Sequence, residues 1–153
     1  MLFKRINRTS PERVFIVVYN SYDTAALTDG QAVQWDFGTD VNGVGVTIPT
    51  ARATNRGLAT AGIAAETIAI NEYGLIQVYG YHGAVRVRSC TSAHAIAAGS
   101  PLIMNKAGAV FCLEPLCTAT TTASQNIYFP CAFAFEAYTS WTTTTIKAFV
   151  KAL

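Results

Sequence analysis

The sequence is short of charged residues. Of its 153 residues, 13% are Asp, Glu, Lys or Arg and 51% are hydrophobic, whereas an average globular domain carries about 25% charged residues. The missing charge is replaced largely by Ala, Thr and Gly. A soluble monomer normally keeps a charged exterior without large apolar patches. The composition therefore favours burial of much of the surface in an oligomer or a larger assembly, over an apolar monomer.

Metal-binding and disulfide motifs are also missing. The four cysteines contain no C-x-x-C pair, and the two histidines lie in different predicted turns. A Cys/His zinc site would therefore need residues that are distant in the sequence. We predict no metal, no cofactor and free, partly buried thiols. The residues in question are Cys90, Cys112, Cys117, Cys131, His82 and His94.

Catalytic motifs are equally scarce. No serine lies in a G-x-S-x-G elbow, and Gly43-Val44-Gly45 lacks the further glycine and lysine of a phosphate-binding loop. Asp36 and Asp40 flank a glycine-containing loop, and a glycosidase needs two carboxyl groups about 5–10 Å apart. Aspartate beside glycine is, however, an ordinary turn residue. We predict a structural role for these carboxylates and no enzymatic activity.

No long hydrophobic run is present either. The first apolar run, Val14 to Tyr19, is too short for a signal-peptide core or a membrane span. The sequence therefore predicts no membrane partner and synthesis without export.

What the sequence does contain is a series of short β-rich runs separated by glycine-centred turns, about ten in all. They predict an all-β fold, a small antiparallel barrel or sandwich formed by one domain over residues 13–153. The run Val14–Tyr19 predicts a well-buried strand. Leu75–Tyr79 and Ala84–Arg88 are predicted as two strands, with His82 in the turn between them. We find no repeat of fixed period.

The first residues, 1–12, form a polar arm in front of this domain. The first thirteen residues contain four of the eleven basic residues, Lys4, Arg5, Arg8 and Arg13, against one acid, Glu12. Such a segment either binds an acidic partner or is a solvated terminus, and the sequence leaves both interpretations open.

Tyr79, Tyr81, Arg86 and Arg88 combine aromatic and basic side chains on predicted neighbouring strands, as in proteins that bind single-stranded nucleic acid. Two arginines would neutralise few phosphates. We therefore predict the outward polar face of a strand pair and no specific nucleic-acid partner.

Several turn-and-strand patterns point to a family. Tyr73-Gly74-Leu75-Ile76-Gln77-Val78-Tyr79-Gly80 is followed by Ile96-Ala97-Ala98-Gly99-Ser100-Pro101-Leu102 and by Asn105-Lys106-Ala107-Gly108-Ala109-Val110. The last runs are Ala132 to Ala137 and Thr145 to Val150. Over residues 58–153 the chain resembles the small capsid decoration (cement) proteins of tailed bacteriophages.

The resemblance implies a non-enzymatic β-rich structural protein of the virion, made in the host cytoplasm. It would cluster as a homotrimer on the outside of an icosahedral capsid and clamp subunits of the major capsid protein. Some members add a strand to the capsid through an N-terminal arm. The resemblance thus implies a capsid-binding arm here, formed by Leu2, Phe3, Lys4, Arg5, Arg8 and Arg13.

One alternative is a β-rich fibre knob or a carbohydrate-binding receptor-recognition module of the virion. A sugar-binding surface would expose Trp35, Trp141 or a tyrosine at a concave site, whereas a cement protein would cover its aromatic side chains at subunit contacts.

Overall fold

The computed structural model describes residues 12–40, 42–48, 59–89, 95–105, 110–112, 130–140 and 142–152. Every regular element in these ranges is a β-strand, which confirms the predicted all-β class. No helix in the described part of the chain is long and apolar enough to cross a membrane. The strands are β1 (Arg13–Asn20), β2 (Ala32–Trp35), β3 (Gly45–Thr47), β4 (Thr60–Ala64), β5 (Tyr73–Val87), β6 (Pro101–Asn105), β7 (Val110–Cys112), β8 (Ala132–Ala134) and β9 (Thr144–Lys151).

The nine strands form one sheet in the order β1-β3-β2-β4-β5-β7-β6-β8-β9, with additional pairings β1–β5 and β5–β9. These two pairings close the sheet twice, so that β5 belongs to two closed sets of five strands. The β1–β3 and β5–β7 pairs are parallel and the others are antiparallel. The finer description as a barrel or sandwich of about ten strands stays a prediction.

The two sets have the same topology. We call β1 to β4 with the first half of β5 (73–80) the first repeat, and the second half of β5 (81–87) with β6 to β9 the second repeat. In each repeat the first strand pairs in parallel with the third and antiparallel with the fifth. In each, the second strand lies between the third and fourth, and the fourth also pairs with the fifth. The structure therefore reveals a repeat that the sequence analysis did not find.

Turns of the same kind precede the second strand of each repeat. An isolated bridge joins Leu27 to Ile68 in the first repeat and Ile96 to Tyr138 in the second. Three residues after Leu27 and after Ile96, Gly30 and Gly99 have positive φ angles of 76° and 85°. Glycine adopts this conformation without the steric cost that a side chain brings. The shared turn supports the equivalence of the two repeats.

The strand β5 corrects one prediction. The sequence suggested two strands with His82 in the turn between them, but one 15-residue strand runs from Tyr73 to Val87. A register irregularity lies between His82 and Val85, and Gly80 has a φ of 100°. These features bend the strand without reversing it. His82 is therefore buried, with 8% of its surface exposed.

The core consists of aliphatic side chains in two clusters, each centred on one repeat. The first contains Val18, Leu27, Val33, Val46, Ala61, Ala64, Ile68, Ile76 and Val78. The second contains Ala32, Ile63, Val85, Val87, Ile96, Leu102, Met104, Cys131, Ala132, Ala134, Ile146, Ala148 and Val150. Among the phenylalanines, Phe135 is 50% exposed, and Phe133 and Phe149 are half-buried. The phenylalanine side chains that the structure describes therefore lie towards the surface.

Candidate functional site

A largely apolar sheet face lies on the outside of the first repeat. Val17 pairs with Leu75 and Tyr19 pairs with Tyr73 across β1 and β5. Residues directly opposite in a sheet point to the same side. Val17 is 62% exposed, Tyr73 66% and Leu75 39%. We call this surface, together with the 40% exposed Phe15, the first-repeat face.

This face corrects the prediction of a well-buried first strand. Only Val18 and Asn20 of β1 are buried, because the other side of the strand is turned away from the core. Tyr19 and Tyr73 hold each other in a tilted ring contact with centroids 5.2 Å apart. The Tyr19 hydroxyl also donates a hydrogen bond to Asn71 Oδ1 at 3.0 Å. The apolar surface is thus held in a defined shape.

A second group of aromatic side chains lies where the two repeats meet. Tyr79 contacts Phe149 edge-on with ring centroids 5.1 Å apart, and Tyr81 stacks on Phe135 at 6.1 Å. The guanidinium carbon of Arg13 lies 5.7 Å from the centre of the Tyr81 ring, within cation–π range. We call these five residues the junction patch.

Cationic groups border the junction patch. Lys147 Nζ lies 2.8 Å from Glu136 Oε1, and both side chains are exposed. This pairing lowers the pKa of Glu136 and raises that of Lys147. Lys151, also exposed, is the strand partner of Tyr79. The patch therefore combines aromatic rings with a guanidinium group, which are enriched at protein interfaces, and ammonium groups lie at its border.

Of the predicted arm residues, only Arg13 falls within the described residues. It begins β1 and is exposed. The preceding carbonyl group, that of Glu12, packs on Gly80, where an added β-carbon would lie 1.9 Å from its oxygen. The chain therefore leaves the sheet beside the junction patch. Leu2, Phe3, Lys4, Arg5 and Arg8 lie outside the described residues.

His82 is the main buried ionisable group near this patch. Its Nδ1 accepts a hydrogen bond from the Ala84 N–H at 3.2 Å, and its Nε2 lies 3.8 Å from Asp29 Oδ1. Burial lowers the pKa of His82; Arg13 acts in the same direction and Asp29 opposes it. No nucleophile in the described part of the chain is hydrogen-bonded to this imidazole. These contacts are those of a structural side chain.

The carboxylates considered for acid–base chemistry accept hydrogen bonds from nearby residues of the fold. Asp36 accepts hydrogen bonds from the hydroxyls of Thr39 at 2.6 Å and Ser21 at 2.8 Å, and the Thr39 bond in particular lowers the Asp36 pKa. Asp40 accepts hydrogen bonds from the backbone N–H groups of Asn42, Val44 and Gly45. The bond from Gly45 contributes most to its lowered pKa. These contacts agree with the predicted structural role in a turn.

The arginines considered for nucleic-acid binding, Arg86 and Arg88, are half-buried. Arg86 Nη1 donates a hydrogen bond to Thr28 Oγ1 at 2.7 Å. The Nε of Arg88 is buried without a hydrogen-bond partner among the described residues. Tyr79 and Tyr81 pack instead on Phe149 and Phe135. The two tyrosines and Arg86 thus already have partners within the fold.

Metal ligands do not cluster in the described part of the chain: no group of three or more His, Cys, Asp or Glu residues could hold an ion there. Cys131 is buried, and its Sγ lies 3.1 Å from Thr60 Oγ1. Its burial raises the pKa of the thiol. Cys90, Cys117 and His94 lie outside the described residues, as does the side chain of Cys112.

Comparison with known families decides the assignment. The family model described as "Phage cement protein" matches residues 42–148, more than two thirds of the chain. The chain belongs to the phage cement proteins. This confirms the resemblance seen in the sequence, and extends it to the segment before residue 58. No curated protein matches the chain.

Membership in the phage cement proteins makes this chain a capsid-associated structural protein of a phage virion. Sequence reasoning noted the low charge of the cement protein but did not locate its exposed apolar surfaces. The signal was present in Val14–Tyr19, where the residues on both sides of the strand are apolar. A strand with one face in solvent normally alternates apolar with polar residues. Such a run therefore indicates either that both sides of the strand are buried in the fold or that one side binds another protein.

Proposed function

We propose that this cement protein binds the outer surface of an icosahedral phage capsid and clamps neighbouring subunits of the major capsid protein. It is made in the host cytoplasm and acts as a homotrimer. The family match carries this proposal. The low charge of the chain and its exposed aromatic side chains support it, because such a surface gains from burial in an assembly.

The junction patch and the arm are the surfaces that we assign to the capsid. Phe135 is 50% exposed and Tyr79 36%, and aromatic residues are favoured at protein interfaces. Arg13, Lys147 and Lys151 surround them and would contact acidic capsid groups. The carbonyl group of Glu12, the last residue of the arm (1–12), packs on Gly80, so the basic residues of the arm would extend the same contact.

Clamping adds stability to the capsid because a ligand that binds only the assembled state stabilises that state by mass action. A protein that touches two neighbouring subunits would thus raise the temperature at which the capsid falls apart. No covalent chemistry is required. The self-contained hydrogen bonding of Asp36 and Asp40 agrees with a binding role.

The test is co-sedimentation of the purified protein with expanded capsids of the same phage, together with the melting temperature of the capsids. We expect saturable binding and a higher capsid melting temperature. Phe135→Ser should weaken binding, whereas Phe37→Ser is the matched control, since Phe37 is 76% exposed in the turn between β2 and β3. Equal binding by both variants would contradict the role of the junction patch, and no binding by the wild type would contradict the proposed function.

The alternative function is that of a fibre knob or a carbohydrate-binding module. Trp35 is half-buried and packs against the first core cluster, so its ring is not presented as an open sugar platform. Binding to host-surface glycans in the absence of capsid binding would favour that alternative.

A further inference from the structure

The two repeats allow each exposed position to be compared with its counterpart in the same molecule. Leu75 donates its backbone N–H to Glu66 Oε1 at 2.8 Å, and Lys147 donates its N–H to Glu136 Oε2 at 2.9 Å. The Leu75 carbonyl accepts from Ala65 at 3.0 Å, and that of Lys147 accepts from Phe135 at 2.9 Å. Leu75 and Lys147 therefore occupy equivalent positions.

Neighbouring positions follow from the strand register. Tyr73 and Thr145 each lie two residues before this pair. Tyr73 is partnered by Tyr19 on the adjacent strand, and Thr145 by Arg86. At three equivalent positions the first repeat thus carries tyrosine, leucine and tyrosine, and the second repeat carries threonine, lysine and arginine.

This difference between the two repeats distinguishes side chains that the fold requires from side chains that binding requires. The same strand positions in the same topology accept polar side chains in the second repeat, as expected for a sheet surface in water. The topology therefore does not require Tyr73, Leu75 or Tyr19 to be apolar. Their apolar character needs another cause, and burial by a partner supplies it, because transfer of exposed apolar surface out of water is favourable.

We propose that the first-repeat face is the surface through which copies of this chain associate with each other. Its members Phe15, Val17, Tyr19, Tyr73 and Leu75 carry no formal charge. In a cyclic trimer, residues beside the symmetry axis meet their own copies, whereas contacts farther from the axis join two different surfaces. A charged face would repel its own copy, whereas an uncharged one is compatible with itself.

The charges on the rest of the surface indicate that a second copy, and not the capsid, binds the first-repeat face. Interfaces between identical subunits are more apolar than those between separately folded partners. The cations Arg13, Lys147 and Lys151 lie at or beside the junction patch, which suits a charged partner such as the capsid. The first-repeat face, whose five side chains are uncharged and which is bordered at Leu75 by the Glu66 carboxylate and not by a cation, is left for the second copy.

This inference deepens the self-association named in the proposed function and does not depend on capsid binding. Sedimentation equilibrium of the full chain over a range of concentrations tests it. Leu75→Lys places in the first repeat the residue that the second repeat has at this position. We expect the wild type to self-associate and Leu75→Lys to raise the dissociation constant at least about tenfold, because a buried ammonium group is costly.

Thr145→Lys is the matched control, since it adds the same charge at an exposed equivalent of Tyr73 in the second repeat. It should associate as the wild type does, whereas Tyr73→Lys should dissociate. Circular dichroism and melting temperature check that each variant is folded, and Val17→Ser offers an uncharged substitution on the same face.

A wild type that stays monomeric at every concentration would overturn the inference, as would folded Leu75→Lys and Tyr73→Lys variants that associate normally. Capsid co-sedimentation is read separately. Normal self-association without capsid binding would contradict the proposed function and leave this inference intact.

Discussion

Gly30 lies directly against the carbonyl oxygen of Ala84. A β-carbon at Gly30 would be 2.0 Å from that oxygen, and the Gly30 carbonyl accepts a hydrogen bond from the Arg86 N–H at 2.9 Å. The turn in front of β2 is thereby fixed to the second half of β5. Through this contact the first repeat packs on the strand that begins the second.

Replacing Gly30 by alanine should therefore destabilise the protein strongly. A side chain at positive φ costs about 1–2 kcal/mol, and forcing atoms into a filled space costs about 1–3 kcal/mol more. We expect Gly30→Ala to lower the free energy of unfolding by about 2–5 kcal/mol in urea denaturation. Gly99→Ala is the control, since Gly99 has a φ of 85° and no atom within 4 Å of an added β-carbon. It should cost only the conformational part, and equal losses would contradict the packing role of Gly30.

Stability should fall as the pH is lowered through the range in which histidine titrates. The folded pKa of His82 lies below the unfolded value of 6.5, so the unfolded chain binds the proton more readily than the folded one. The contribution is complete above the unfolded pKa and is lost as the pH falls towards the folded pKa. Melting temperatures between about pH 7.5 and pH 5 should show this. A folded His82→Gln variant should lose less stability over that range, and an identical slope would show that another group is responsible.

Stability should not depend on metal or on disulfide bonds. Two largely aliphatic clusters form the core, and Cys131 lies buried within one of them. A domain of this size can bury enough surface without cross-links. Chelator and reductant should therefore leave the melting temperature nearly unchanged. A fall of more than about 10 °C, which corresponds to roughly 3 kcal/mol or more, would show that the thiols or a metal contribute.

Removing residues 1–11 should leave the fold intact and weaken attachment to capsids. The truncation keeps Glu12, whose carbonyl packs on Gly80, and removes Lys4, Arg5 and Arg8. Salt screens contacts between exposed charges, so the difference in affinity between full-length and truncated protein should shrink as salt rises. Capsid co-sedimentation at several salt concentrations measures this. Equal affinity at every concentration would mean that the arm is only a solvated terminus.

Local patterns were sufficient for some parts of this description. The turn signals and β-branched runs predicted most strands, because a strand of five residues and its turn are encoded within a few positions. They failed at His82, where glycines on either side suggested a reversal. The strand instead bends at Gly80 and at the irregularity before Val85. Either outcome suits the local sequence, and pairing with β9 selects the continuous strand.

The candidate site was the harder part to predict. A run such as Val14–Tyr19 has apolar residues on both sides, so its alternation does not indicate which side faces the core. That choice is made by residues far along the chain: Val17 pairs with Leu75, and both side chains remain exposed. Likewise, the grouping of Arg13 with Tyr81 and Phe135 depends on three distant segments.

By itself the sequence determined the all-β class, the shortage of charge and the resemblance to cement proteins, since these reside in composition and in short patterns. Only the tertiary structure decided which apolar side chains are core and which are surface, because burial depends on the partner that each strand meets. The tertiary structure also revealed the repeat. Topology is set by pairing between strands, and pairing can persist where side chains such as Leu75 and Lys147 have nothing in common.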